Sequence, residues 1–491
     1  MNRPIRTISL LLSLSMLAAC MEPKYVRPTV QTPPDNYKER DAQWKPAQPS
    51  DSIPRGKWWE MFGDVRLNRL EEQVMNGNQS LQQSEAQFRQ SRAAVSSAFS
   101  GFFPAVTLNP AITRTRSYSS GSNTYGYGTL YEMPGTASWE PDFWGQVRLS
   151  VNSAKGSAQA SAAQLENAKL SLAAQLAADY FSIETIDKEE IVLSSATVDY
   201  KAALDLTSNR FNAGVASQAD VAQAQSQLSA TQAQATDLLI SRAQLEHAIA
   251  VIVGESPSSF KIEPGVISSA PPEIPTGMPS QLLERRPDIA AAERQVYSAN
   301  EDIGAARAAY FPVVSIIATG GLENATATQW FEWPSRFFSL GVSAADTIID
   351  FGKHQAGRKQ AWAAYDASVS AYRETVLTAF QQVEDDLAAL RLLAIESEQE
   401  ESAFKAAQDS LRLTMDQYTA GTVSYMNVIQ AQNTALTSEN TTVQILGKRM
   451  TYAVDLLRDL GGGWDSSMLP AKGGDLRATY SSGSHLNTPA H

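Results

Sequence analysis

The chain has 491 residues and carries 40 basic against 52 acidic side chains, a net charge of −12. That balance argues against nucleic acid, whose binding needs clustered Lys and Arg. One cysteine and four histidines leave little for a disulfide or a metal site.

Residues 1–19 read as a secretory signal, with Arg3 and Arg6 ahead of an apolar run that is too short to span a bilayer. Leu17-Ala18-Ala19-Cys20 has the form of a lipobox, so Cys20 is expected to become the first mature residue and to carry a covalent lipid. No other cofactor is expected. Met21, where an aspartate would retain a lipoprotein at the inner membrane, favours the outer membrane. Loss of the signal removes two arginines, leaving 38 basic against 52 acidic residues, −14. Residues 20–57 are rich in proline and are expected to run extended. No later apolar run exceeds the six residues 248–253, so any bilayer crossing would have to use β-strands.

From residue 58 onward the chain repeats itself with a period of about 207 residues. Phe102-Phe103-Pro104 returns as Tyr310-Phe311-Pro312, and the glycine of Asp142-Phe143-Trp144-Gly145 returns in Ile349-Asp350-Phe351-Gly352. Arg210-Phe211-Asn212-Ala213-Gly214 returns as Gln417-Tyr418-Thr419-Ala420-Gly421. Matches held in one register imply two large units, residues 58–263 and 281–464, joined by a linker over 264–280. The last residues, 465–491, are rich in Ser, Gly and Thr and are expected to be disordered.

Each unit reads in the same order. A helical stretch (67–102 or 281–310) stops at a proline. A strand pair follows: 105–118 with 125–139, then 313–322 with 337–349. The chain then returns to helix for about a hundred residues. Residues 145–212 would span about 100 Å as one helix, so two stacked pieces parting near Asp187-Lys188-Glu189-Glu190 are expected. Beyond Gly214, Val221, Leu228, Ala235, Arg242 and Ile249 share one heptad seam position, the pattern of a coiled coil. The strands alternate apolar with small or polar residues, as in Val314, Ile316 and Ala318 against Ser315 and Thr319, which suits a membrane strand or a half-buried hairpin.

Lipobox, duplicated helix–hairpin–helix unit, the two glycine turns and the ending Gly461-Gly462-Gly463-Trp464 together resemble the TolC/OprM-like outer-membrane efflux channels, in their lipoprotein branch. The resemblance implies a mainly α fold with a membrane β-barrel: a homotrimer forming a twelve-stranded barrel continued by a twelve-helix tunnel. It implies a passive exit duct for small molecules rather than an enzyme, held in outer-membrane lipid. The implied partners are a periplasmic adaptor and an inner-membrane RND-type pump. By the same resemblance Asp220 and Tyr418 pair as a gate, and the turns at Gly214 and Gly421 meet the adaptor. Met426, Asn427 and Gln430 take the pore constriction, the two amides standing where the family's best-known member has aspartates. Val423 stands where that member has an arginine. Two other readings are a coiled-coil envelope lipoprotein that spaces membrane layers, and the outer component of a type I protein secretion system.

Overall fold

A computed structural model describes residues 25–30, 37–38, 57–119, 121, 124–267, 270–274 and 285–464. The signal, Cys20 and the tail beyond Trp464 lie outside the described residues, as do parts of the 20–57 segment and of the 264–280 linker. Residues 25–30 lie against the second unit: the Tyr25 hydroxyl donates to Glu293 at 2.6 Å, and Arg27 to the Tyr372 hydroxyl at 3.2 Å.

Seven long helices and one sheet make up the described chain. Helix α1 (Val65–Gly77) gives way to α2 (Gln79–Ser100) at Asn78, which splits the single helix expected there. Asn78 is extended, accepts the Leu81 amide to cap α2, and donates its own amide to the Ile252 carbonyl. Helix α3 (Gln146–Asn212) starts at Gly145, with φ 78°, and the Asp142 carboxylate takes up the free amides of Val147 and Arg148. Helix α4 is Gln218–Val253, α5 is Pro287–Ala308, α6 is Lys353–Thr419 and α7 is Tyr425–Asp459. Helices α3 and α6 each have 67 residues and start 207 positions apart.

The two-piece expectation for α3 fails. Asp187 is buried and accepts from Arg242 Nε at 2.5 Å and from the Gly265 amide at 2.9 Å, so α4 and the loop behind it satisfy the charge. Glu184 is satisfied likewise by Arg66 at 2.7 Å and by the Tyr180 hydroxyl at 2.9 Å. The acidic run is a buried junction, and α3 passes through it without interruption as a rod of about 100 Å.

That rod belongs to two layers. Toward the sheet α3 lies between α2 and α5, with α6 beyond α5. Toward the other end it lies between α4 and α7, with α6 beyond α7. Where the layers meet, Trp58, Leu67, Tyr180, Ile183, Val383 and Leu456 close the largest core. The α4 seam faces α3, with Leu228 and Ile249 buried, Ala224 and Thr231 buried beside them, and Arg242 spent on Asp187.

The sheet is a correction to the expected barrel. Strands β1 (Ala105–Leu108), β2 (Ala111–Ser119), β3 (Thr124–Trp139), β4 (Val313–Asn324) and β5 (Arg336–Ala345) form one antiparallel sheet in the order β1-β3-β4-β5, with β2 also on β3. β1 and β2 line one edge and β5 the other, and the two edges do not meet. The sheet is open, and five strands fall short of the roughly eight that a barrel requires. By itself the chain therefore closes neither the expected barrel nor the twelve-helix tunnel. Its two halves are stitched together through the β3–β4 ladder, Tyr131↔Asn324 to Trp139↔Ile316. Among the described residues no helix is long and apolar enough to cross a membrane.

Registration sorts the strands into two unlike faces. One holds Val106 and Leu108, Ile316 and Leu322, and Phe338, Leu340 and Val342. The other holds Thr107, Thr136, Thr319 and Ser339, and the Thr136 and Thr319 hydroxyls lie 3.3 Å apart across the strands.

Candidate functional site: the paired helix tips

At the end remote from the sheet, the two glycine turns lie side by side. Each is a Schellman closure at an Ala-Gly pair, Ala213-Gly214 or Ala420-Gly421. The Val215 amide donates to the Arg210 carbonyl at 2.8 Å and the Gly214 amide to Phe211 at 2.9 Å. In the second turn Thr422 donates to Gln417 and Gly421 to Tyr418, both at 3.0 Å. Gly214 and Gly421 sit at φ 78° and 77°, the left-handed region that a side chain disfavours.

The outgoing helices start differently. Ser217 caps α4 in a closed capping box: its hydroxyl takes the Asp220 amide, while the Asp220 carboxylate takes the Ser217 amide at 2.9 Å and hydroxyl at 2.8 Å. Asn427, at the same step of α7, receives only a 3.2 Å bond from the Ser424 hydroxyl.

Between the tips is a small apolar cluster of Ala203, Ala224, Tyr418, Tyr425 and Val428, with Val423 packed against it. The rings of Tyr418 and Tyr425 lie 5.4 Å apart. The Tyr418 hydroxyl is buried with no hydrogen-bond partner among the described residues. Burial pushes the Tyr425 hydroxyl up to about 12, aided by the neighbouring Tyr418 and, more weakly, by the Asp220 charge.

The structure does not bond Asp220 to Tyr418. It brings both to the same tip, with Asp220 engaged by Ser217 and the Tyr418 hydroxyl unpartnered. What crosses between the units here is Arg210, which the sequence marked only as part of the repeat and without a role. It donates to the Tyr418 and Thr419 carbonyls at 3.0 and 3.3 Å, with its guanidinium 4.6 Å from the Tyr418 ring. The tip thus has an arginine supplied by the first unit, whereas position 423 holds an apolar valine. The signal for Arg210 was an asymmetry inside the repeat, since its counterpart is Gln417.

Met426, Asn427 and Gln430 all lie exposed on the first turns of α7. Asn427 and Gln430 stand one turn apart on one strip. Farther up the same helix, Gln227 of α4 donates to Asn433 at 2.6 Å. The walls of this region are amides and hydroxyls, and among the described residues no group of three His, Cys, Asp or Glu could hold a metal ion.

Residues 70–255 and 278–462 match the model of the family described as outer membrane efflux protein. The outer membrane protein OprJ of Pseudomonas aeruginosa is 29% identical over 487 residues, covering 96% of this chain and all of OprJ. The pyoverdine export outer membrane protein OpmQ of the same species is 28% identical, over 94% of this chain and 98% of OpmQ. The solved outer-membrane channel OprN superposes with a TM-score of 0.83 at 27% identity, over 91% of this chain and 99% of that one. With matches running in this way through both units, the chain belongs to the outer membrane efflux protein family.

Proposed function

We propose that the chain is the outer-membrane exit duct of a tripartite efflux system, passing small molecules outward without chemistry or an energy source of its own. The observation that carries this reading is the placement of two unlike ends on one rod. A two-faced sheet stands at one end and a pair of closed helix tips at the other, joined by the unbroken α3. A rod of about 100 Å reaches well beyond a bilayer's roughly 30 Å hydrocarbon core.

In this reading three copies assemble, an adaptor takes the tips around Gly214 and Gly421, and an inner-membrane RND-type pump supplies the energy. Cys20 carries the lipid that holds the chain to the membrane. Asp220 and Tyr418 form the movable contact of the gate, and Met426, Asn427 and Gln430 face the narrowest part of the path. The Tyr418 hydroxyl is a donor in want of an acceptor, and a small rotation of Asp220 away from Ser217 would offer a charged one. Amides in place of carboxylates leave the constriction polar and uncharged, so cations should gain little there. Small molecules such as drugs are the expected cargo, and the name of one relative, OpmQ, gives pyoverdine as what that protein exports.

The test is single-channel conductance of the lipidated protein in a planar bilayer, with its assembled mass measured alongside. Discrete low-conductance steps from a trimer are expected. Well-folded protein that gives no channels, even with Asp220→Ala and Tyr418→Phe, would overturn the reading.

A further inference from the structure

The hairpin of β2 and β3 reaches past the rest of the sheet, away from the helices, and its outermost residues differ from those below. Directly opposed residues share a face, so Arg114 and Arg116 stand with Tyr125 and Tyr127. Arg116 lies 4.2 Å from the Tyr125 ring and 5.6 Å from that of Tyr127, and Arg114 lies 5.6 Å from Tyr127. Neither guanidinium has a carboxylate partner among the described residues, and both side chains are exposed. The acidic residues of this region, Glu132 and Glu323, oppose one another on the other face of the sheet.

The rings hold the two guanidiniums by their faces and leave the N–H edges unspent. Two adjacent forks with free edges match a phosphate, which takes paired N–H donors through two oxygens. Below the arginines the same face becomes apolar: Val106, Leu108, Phe338, Leu340 and Val342 are all exposed, Phe338 by 88%. A patch of that kind, topped by arginine and tyrosine, is complementary in order and charge to a lipid, with acyl chains below and phosphate above.

We propose that Arg114 and Arg116, framed by Tyr125 and Tyr127, bind the phosphate of an anionic lipid whose acyl chains lie along the apolar face of the sheet. The occupant is a lipid phosphate rather than free phosphate, because the apolar band beneath has no counterpart in an inorganic anion. The site fixes how high the hairpin sits against the lipid. It rests on the outer-membrane reading only in requiring that lipid be present.

The experiment titrates the full chain in neutral detergent with phosphatidic acid and, separately, with diacylglycerol of the same acyl chains, reading bound lipid by native mass spectrometry. Phosphatidic acid should bind the tighter of the two. Arg114→Gln with Arg116→Gln should weaken it about tenfold or more, which corresponds to roughly 1.4 kcal/mol. Glu132→Gln with Glu323→Gln, on the opposite face, should leave it unchanged. Equal binding of the two lipids, or equal binding by the arginine variant, overturns the proposal. So does full displacement of the lipid by millimolar inorganic phosphate, which would make this a simple anion site. Conductance of the unsubstituted chain is recorded in parallel: channels without lipid selectivity sink this site alone, and lipid selectivity without channels sinks the duct reading alone.

Discussion

Arg210, in the last turn of α3, donates to the carbonyl of Tyr418, in the last turn of α6, at 3.0 Å, and its guanidinium lies 4.6 Å from the same residue's ring. One side chain thus joins the ends of the two longest helices. It adds a second donor to the Tyr418 carbonyl, which also takes the Gly421 amide, and one to the Thr419 carbonyl, and it places a cation where the helix dipole favours one. Arg210→Ala should raise basal conductance and lower tip stability by about 1.5–3 kcal/mol, the range for a hydrogen bond from a charged group. Amide exchange at the last turns of α3 and α6 reads the second effect. Unchanged exchange there would show that the contact does not hold the tips.

Asp220 and Tyr418 should separate in their effects on stability. Asp220→Ala opens the capping box at Ser217 and should cost about 1 kcal/mol. Tyr418→Phe removes a buried hydroxyl that has no partner, so the fold should be as stable or slightly more so. Both should make the channel leakier if the two side chains form the gate. Thermal melts paired with bilayer recordings check this, and normal leak in both variants would remove the gate assignment.

Gly214→Ala tests the turn by itself. No atom lies within 4 Å of the position its Cβ would take, so any cost comes from the backbone at φ 78°. A loss of about 1–2 kcal/mol is expected, measured by thermal melting, with adaptor binding altered through the displaced tip.

Asp187 anchors the middle of α3. Its carboxylate is buried against Arg242, which also reaches Glu246 at 2.9 Å and the Ile262 carbonyl. Asp187→Ala leaves a mostly buried guanidinium without its closest partner and should cost about 3–5 kcal/mol. Thermal melting would show it as a large drop in midpoint, and a shift of only a degree or two would mean the junction is not cooperative with the fold.

Acid should stabilise this protein over part of the neutral range. Burial, with the adjacent Asp459 and Asp455, pushes the Asp386 carboxyl from an ordinary 3.8 up to about 8. Glu71, Glu184 and Glu189 are also raised, by burial first. In that interval the folded chain keeps protons that the unfolded chain releases, so stability falls as pH climbs from about 4 to about 8. The melting midpoint should be higher at pH 6 than at pH 8.5, and Asp386→Asn should flatten the slope. A slope unchanged by that substitution would assign the effect to the other carboxyls.

The duplication, the glycine turns and the strand positions were legible because each is local: a repeated motif, a residue type that tolerates positive φ, an alternation of period two. The break at Asn78 was missed because it depends on a carbonyl 174 residues away, at Ile252. Asp187 to Glu190 looked like a gap because solvated charge and buried, paired charge are spelled alike, and only Arg242 tells them apart. The barrel expectation came from the family resemblance; alternation gives a strand two unlike faces but says nothing about whether one chain's sheet edges meet. At the tips, Asp220 and Tyr418 stand at one end without bonding each other, while the bond between the units comes from Arg210, marked in the sequence only by the Gln417 that replaces it in the second repeat.

Helix α3 has one set of neighbours in its upper half and another in its lower half, and in each it is wedged between the first unit's own helix and one from the second. The repeat visible along the chain is therefore not a unit that can stand by itself. Cut between residues 263 and 281, the first half would keep its longest helix but lose one whole flank of it, and β3 would lose its neighbour β4. What was copied in the sequence is a half, and what folds is the interlocked pair.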